Sequence, residues 1–331
     1  MTTILVTGGA GFIGSCFVRH MLKNHPDYKI INLDALTYCG NPENLDDVKD
    51  NPNYTFVHGN ICDKHLVPEL AEQVDAIINF AAESHVDNSI KHPEIFVETN
   101  VQGTLNLLQA AKNFKIDRYL QVSTDEVYGS LGKTGYFTET TPLAPNSPYS
   151  ASKASADFLV RAYHETYGLP TLNTRCSNNY GPYQYPEKLI PFFISQLLKG
   201  EKVPVYGDGL NVRDWLFVYD HCSAIDTVLH KGKIGEIYNI GGHNEKTNME
   251  ITHLILDAMG KDESSIKYVQ DRLGHDKRYA ICNDKIQSEL GWEPSLTFEE
   301  GIKITIDWYL NNQSWMKNLE AKMHLNNEKG N

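Results

Sequence analysis

No apolar run in the 331 residues approaches the roughly 20 needed to cross a bilayer, which argues against a helical membrane protein. The chain enters Ile4-Leu5-Val6 without a basic n-region or a long apolar stretch, so no signal peptide is expected and the expected location is the cytoplasm. Cysteine is sparse: Cys16, Cys39, Cys62, Cys176, Cys222 and Cys282 lie far apart with no C-x-x-C pair, and reduced thiols are expected. The thirteen histidines form no H-E-x-x-H or similar spacing, so no metal is expected. Positive charge is also scarce. Thirty Lys and Arg stand against 42 Asp and Glu, and the net charge of −12 sets up a field that repels phosphate, arguing against a nucleic-acid binder. Any phosphorylated ligand must therefore meet a local cluster of basic side chains.

What is present is ordinary globular material. Hydrophobic content of 41% and charged content of 22% suit one large α/β unit or two domains with a well-buried core. Through the first half, strand-like runs at Ile4–Thr7, Lys29–Asp34, Tyr54–His58, Ala76–Phe80 and Tyr119–Ser123 alternate with helical spacing at Gly14–Asn24 and Val101–Phe114. This alternation predicts a parallel sheet covered on both faces. A long helix is predicted over Tyr149–Tyr167, stopped by Gly168 and Pro170, with a strand at Thr171–Cys176. Beyond Tyr180, Pro182, Pro186 and Pro191 break the chain into shorter pieces. We read a dinucleotide-binding unit over 1–180 and a smaller α/β substrate domain over 181–331. Trp215–Val218 and Ile237–Ile240 are candidates to return to the first unit, and the polar stretch 317–331 is expected to fray.

The turn Thr7-Gly8-Gly9-Ala10-Gly11-Phe12-Ile13-Gly14 follows a strand and opens a helix, the setting a dinucleotide fingerprint requires. Its glycines permit a tight turn, and the helix N-terminus faces phosphate. Asp34 ends the second strand about 20 residues on, where an acid hydrogen-bonds the adenosine ribose. A carboxylate there repels the extra phosphate of NADP, so NAD is the expected cofactor. Ile61 and Asp63 follow the third strand, on the adenine side. Ala81 and Ala82 follow the fourth, near the pyrophosphate and nicotinamide ribose. The predicted fold is thus a Rossmann-type doubly wound parallel sheet.

Ser123-Thr124-Asp125-Glu126 sits at the C-terminal end of a predicted strand, the edge where such sheets bind ligands. Tyr149 and Lys153 are four apart, on one helix face. Ionising a tyrosine at neutral pH requires a shift of about 3 units, or roughly 4 kcal/mol. An ammonium about 5 Å away supplies about 3 kcal/mol at an effective dielectric of 20. A positive nicotinamide ring supplies the remainder. Tyr149 is therefore the expected base, with Thr124 hydrogen-bonding the same substrate hydroxyl.

These motifs together resemble the extended short-chain dehydrogenase/reductase superfamily, in its NAD-dependent epimerase/dehydratase family and specifically the nucleotide-sugar 4,6-dehydratases. The likeness runs through Thr7–Gly14, Asp34-Ala35-Leu36-Thr37-Tyr38, Ala81-Ala82-Glu83-Ser84-His85-Val86-Asp87, Ser123–Gly129, Tyr149–Lys153, Ser177–Tyr183, Pro186–Pro191 and Arg213-Asp214-Trp215. It implies dTDP-glucose as substrate, a 4-keto-6-deoxy sugar nucleotide as product and a homodimer built on the helices over 101–114 and 149–167. It further implies that Tyr149 takes the proton from the hydroxyl on sugar carbon 4, Glu126 removes the hydrogen on carbon 5, and Asp125 protonates the hydroxyl leaving carbon 6. On the cofactor side it adds Leu36, Thr37, Ser84, Thr99 and Asn178. On the substrate side it implies Ser84, Thr124, Asn179, Lys188, Leu189, Pro204, Tyr206, Arg213, Asn248, Asp271, Arg272 and His275, with Arg213 and Arg272 suited to the diphosphate by their guanidinium forks. Two positions depart from the pattern: Leu273 replaces an expected proline, and Asn88 an expected basic residue. The alternatives are a related epimerase or decarboxylase, against whose epimerase form Asp125-Glu126 argues, and an NAD-binding sensor, expected to lack part of the catalytic set.

Overall fold

The computed structural model of the chain describes residues 2–271 and 275–329, with side chains described as far as residue 322. Six strands, β1 (Thr3–Thr7), β2 (Lys29–Asp34), β3 (Tyr54–His58), β4 (Ala76–Asn79), β5 (Arg118–Thr124) and β6 (Thr171–Cys176), pair in parallel in the order β3-β2-β1-β4-β5-β6. Every residue of β4 and β6 is buried, because helices cover both faces of the sheet. The order reverses between β1 and β4, and that switch point opens a crevice at the C-terminal strand ends.

A second, smaller assembly follows from β7 (Asn178–Tyr180), β8 (Val203–Tyr206) and β9 (Val212–Phe217). Strand β10 (Ile237–Ile240) crosses back and pairs in parallel with β6 as the seventh strand of the main sheet. Trp215–Val218 does not return. Trp215 to Phe217 lie in β9, which forms a three-stranded sheet with β7 and β11 (Glu245–Thr247), while β12 (Ile266–Val269) pairs with β8. The reason is burial: Trp215 and Phe217 pack with Tyr180, Phe298 and Tyr309 in a second core, while the opposite-facing Leu216, with Val218 at the start of the next helix, joins the first.

The helix Pro148–Tyr167 begins with a reciprocal cap between Ser147 and Ser150 and ends at Gly168 in the left-handed conformation. Its buried face carries Tyr149, Lys153 and Asp157 at successive i+4 positions. Asp157 accepts from Arg175 Nε at 2.9 Å, and Arg175 Nη1 donates to the Tyr128 hydroxyl at 2.9 Å, all three buried. Asp157→Ala leaves the guanidinium without its counter-ion, and we expect a loss of about 3–5 kcal/mol in unfolding free energy, read from the urea midpoint.

Two segments differ from the sequence reading. The stretch Val97–Gly103 is π-helical, and α-helix begins only at Thr104. Asn100 accounts for this: its side chain bonds both Glu83 N and Glu83 O and donates to Ser152 Oγ at 2.9 Å, holding the segment against two other elements. The C-terminal stretch is helical over Gln313–Lys329. Trp315, Met316 and Leu319 bury into the second core, and Lys322 donates to Asn41 and Glu43. Among the described residues no helix is long and apolar enough to cross a membrane.

Candidate active site

A long cavity follows the crevice. Its first wall is the glycine turn: Gly8, Gly11, Phe12, Ile13 and Gly14 line it. Gly8 has φ +73, and a Cβ there would stand 2.6 Å from Ala81 N. A Cβ on Gly14 would meet the Gly8 carbonyl oxygen at 2.2 Å, so no side chain fits between the turn and the helix. Gly11 caps the helix with no side-chain hydrogen bond, leaving the first amides to an anion. Asp34 also lines the cavity, its two carboxylate oxygens accepting from Ala10 N and Leu36 N at 2.8 Å. Burial pushes its carboxyl up, and those two backbone bonds pull it down. The cradle, the open helix end and the acid at the end of β2 fit a dinucleotide such as NAD.

Thr37, Ile61, Ala81, Ala82, Ser84, Thr99 and Asn178 line the same cavity. Leu36 and Asp63 lie outside its lining. Leu36 sits at φ +50, with its amide committed to Asp34. The Asp63 carboxylate accepts from the amides of His65 and Leu66, closing a local turn. Asn60 lines the cavity at the end of β3 instead. The sequence points to Ile61 and Asp63 after this strand; of the two, Ile61 lines the cavity.

Thr124, Asp125, Glu126, Tyr149 and Lys153 converge on the opposite wall. Thr124 closes β5, and its hydroxyl accepts from Glu126 N at 3.3 Å, turning the two acids into the cavity. Asp125 is 2% exposed, and its Oδ2 has no hydrogen-bond partner among the described residues. Burial pushes its carboxyl well above the usual range, Glu126 and Asp214 add to this, and Arg213 and Thr124 oppose it. Glu126 is only half-buried. The two neighbouring acids therefore occupy unlike environments.

The surroundings of Tyr149 hold it as a neutral phenol. Burial pushes its phenol well up, Glu126, Cys176 and Asp125 push further, and only the Thr124 hydroxyl among the main influences pulls down. Lys153 Nζ donates to Val122 O at 2.8 Å, and burial lowers its own pKa. The ammonium alone does not activate the phenol.

Lys188, Asn179 and Ser84 line the cavity on the side of the second core. Lys188 Nζ lies 3.6 Å from Glu187 Oε1, and Tyr38 OH donates to the same oxygen at 3.2 Å. Tyr38, Glu83 and Glu187 were not singled out from the sequence, though all three fall in or beside the motifs that carried the resemblance. Glu83 and Glu187 line the cavity. Leu189, Pro204, Tyr206, Arg213, Asn248, Asp271 and His275 do not. Arg213 is buried, with its guanidinium donating to Val212 O and Asp276 O and stacked 4.5 Å from the Tyr279 ring. It is close enough to Asp125 to influence it, rather than standing out as a phosphate clamp. His275 Nδ1 lies 2.6 Å from Asp271 Oδ1, and its ring meets the edge of Tyr206 on the β8–β12 side. Asn248 opens the neighbouring helix. Arg272 and Leu273 lie outside the described residues.

A family model described as GDP-mannose 4,6 dehydratase matches residues 5–305. A dTDP-glucose 4,6-dehydratase of Xanthomonas campestris pv. campestris is 56% identical over 337 residues, covering 96% of this chain and 95% of that protein. The crystal structure of DesIV, a dTDP-glucose 4,6-dehydratase from Streptomyces venezuelae with NAD bound, superposes with a TM-score of 0.94 at 53% identity, over 96% of this chain and 99% of the other. A dTDP-glucose 4,6-dehydratase from Bacillus anthracis, also solved with NAD, gives 0.91 at 57% identity, over 96% and 100% of the two chains.

Proposed function

The chain belongs to the GDP-mannose 4,6 dehydratase family, and on that premise we propose that it is the NAD-dependent lyase that converts dTDP-glucose to dTDP-4-keto-6-deoxyglucose. The observation that carries this reading is the pair Asp125-Glu126 on the cavity wall opposite the glycine turn, one acid sealed and the other half-open. An epimerase exchanges a hydride and a hydroxyl proton at carbon 4 and has no use for a further acid–base pair of carboxyl groups.

NAD, when bound, supplies the reversible hydride acceptance that oxidises carbon 4 and later reduces carbon 6. The chain's own groups move the protons. Tyr149 takes the proton from the carbon 4 hydroxyl, with Thr124 hydrogen-bonded at the same oxygen. Lys153, fixed on Val122 O, holds the positive charge beneath them. A ketone at carbon 4 acidifies the hydrogen on carbon 5, which Glu126 removes. Asp125, kept protonated by its burial, gives its proton to the hydroxyl leaving carbon 6, and water departs; as carbon 6 is reduced, Glu126 returns its proton to carbon 5.

The other wall orients the sugar nucleotide through Ser84, Asn179 and Lys188, while Tyr206, Asn248, Asp271, Arg272 and His275 serve its nucleotide end. We assign residues 1–180, with β10, to cofactor binding and the rest to substrate binding. Exposed Ile95, Val97, Leu105 and Phe158 leave an apolar face on the helical layer, which supports a homodimer through it. The cytoplasm is the location we propose.

Incubation with dTDP-glucose and no added NAD, followed by mass spectrometry, tests the activity. Loss of one water with no accumulating NADH is expected. Silence with dTDP-glucose, even with NAD supplied, alongside turnover of another nucleoside-diphosphate sugar would overturn the substrate.

A further inference from the structure

We propose that His25, Asp226 and His230, with His20 hydrogen-bonded to the carboxylate beside them, form a binding site for a divalent transition metal of the Zn²⁺ class, remote from the cavity. The expectation of no metal rested on linear spacing. Here the donors come from two helices some 200 residues apart in sequence: the capping His25 from Phe12–Asn24, and Asp226 and His230 from Val218–Lys231. No sequence motif could announce such a set.

The geometry is that of a site whose donors already converge. His20 Nε2 lies 2.9 Å from Asp226 Oδ2, His25 Nε2 lies 3.0 Å from both carboxylate oxygens, and His230 Nδ1 lies 2.8 Å from Oδ1. The ligand atoms of His25, Asp226 and His230 all fall within 4.8 Å of one another. Tetrahedral zinc with bonds of about 2.0–2.2 Å sets neighbouring donors roughly 3.3 Å apart, so small side-chain rotations admit an ion. Two imidazoles and one carboxylate, with a fourth position left to water, make a borderline donor set, suited to zinc and its neighbours rather than to calcium or magnesium.

The surroundings orient the rings. Tyr28 OH lies 2.9 Å from His230 Nε2, on the side away from the carboxylate. The His25 and His230 rings stack with centroids 4.8 Å apart. The four side chains keep between 17% and 32% exposure, enough for an ion to enter from solvent. A bound ion would pin the helix that begins at the glycine turn to its neighbour, stabilising the fold without taking part in the chemistry.

Calorimetric titration of the chelator-stripped full-length protein with ZnCl₂ tests this, together with visible spectroscopy on addition of CoCl₂. One tight equivalent of zinc and a tetrahedral cobalt spectrum without a thiolate charge-transfer band are expected. The double variant His25→Ala/His230→Ala should bind about 100-fold more weakly or worse, and Tyr28→Phe about tenfold more weakly, with metal-free dehydratase activity unchanged. Should the double variant fail to fold, Asp226→Asn gives the same comparison with nearly the original shape. Absence of saturable binding, a thiolate band, or unaltered affinity in the variants would overturn the proposal.

Discussion

Tyr149→Phe is expected to lower kcat by about 10²–10⁴ with KM little changed. The substitution removes one hydroxyl and keeps the ring, whose edge contact with Phe96 at 6.3 Å between centroids preserves the packing. The effect therefore reads the proton transfer at carbon 4 and not the fold. The phenol is neutral in the free protein, because burial and the nearby Glu126, Cys176 and Asp125 all disfavour its anion. Its activation thus requires positive charge beyond that of Lys153. Steady-state product formation measures the loss, and retention of more than about a tenth of the activity would remove Tyr149 from the role of base.

The second large effect separates the two acids. Asp125→Asn and Glu126→Gln should each cost about 10²–10⁴ in turnover, by different routes. With Glu126 intact, the Asp125→Asn enzyme should still exchange the carbon 5 hydrogen with deuterated solvent, because only the departure of water is blocked. Glu126→Gln should show no exchange. The reverse pattern would swap the assignments. Stability moves the other way for Asp125→Asn. The folded carboxyl has its pKa raised above the unfolded value, so its contribution is fully present below the ordinary carboxylate range and is lost as pH rises toward the folded value. Asparagine mimics the neutral acid at every pH. The variant should therefore match the parent in strong acid and melt higher near neutral pH, by about 2 °C for each kcal/mol relieved. A site that stabilises the fold when disarmed is one where burial has been tolerated for chemistry.

Much of this was legible in the chain because it rests on local physics. The glycine turn needs only a strand before it and a helix after it, and Gly8 and Gly14 occupy positions where a Cβ would collide with backbone. Tyr149, Lys153 and Asp157 share a face because the helix repeats every 3.6 residues. The strands β2, β3 and β6 have the bounds that their apolar runs predicted. Asn60 carries no signal in the sequence that separates it from an ordinary turn residue after β3. The π-helical turn at Asn100 was invisible, since its cause is a side chain bonded to Glu83 and Ser152 from distant parts of the chain.

The sequence by itself determined the doubly wound class, through its alternation of strands and helices, and the glycine turn, through spacing along a single strand–helix junction. Only the tertiary structure decided that β10 joins the main sheet while β9 does not, that Arg213 lies beside Asp125, and that Asp125 is sealed while Glu126 is half-open. It alone brought His20 and His25 to Asp226 and His230. Those outcomes depend on which surfaces find one another across hundreds of residues, and on the water excluded when they meet, neither of which is encoded in the spacing of any one segment.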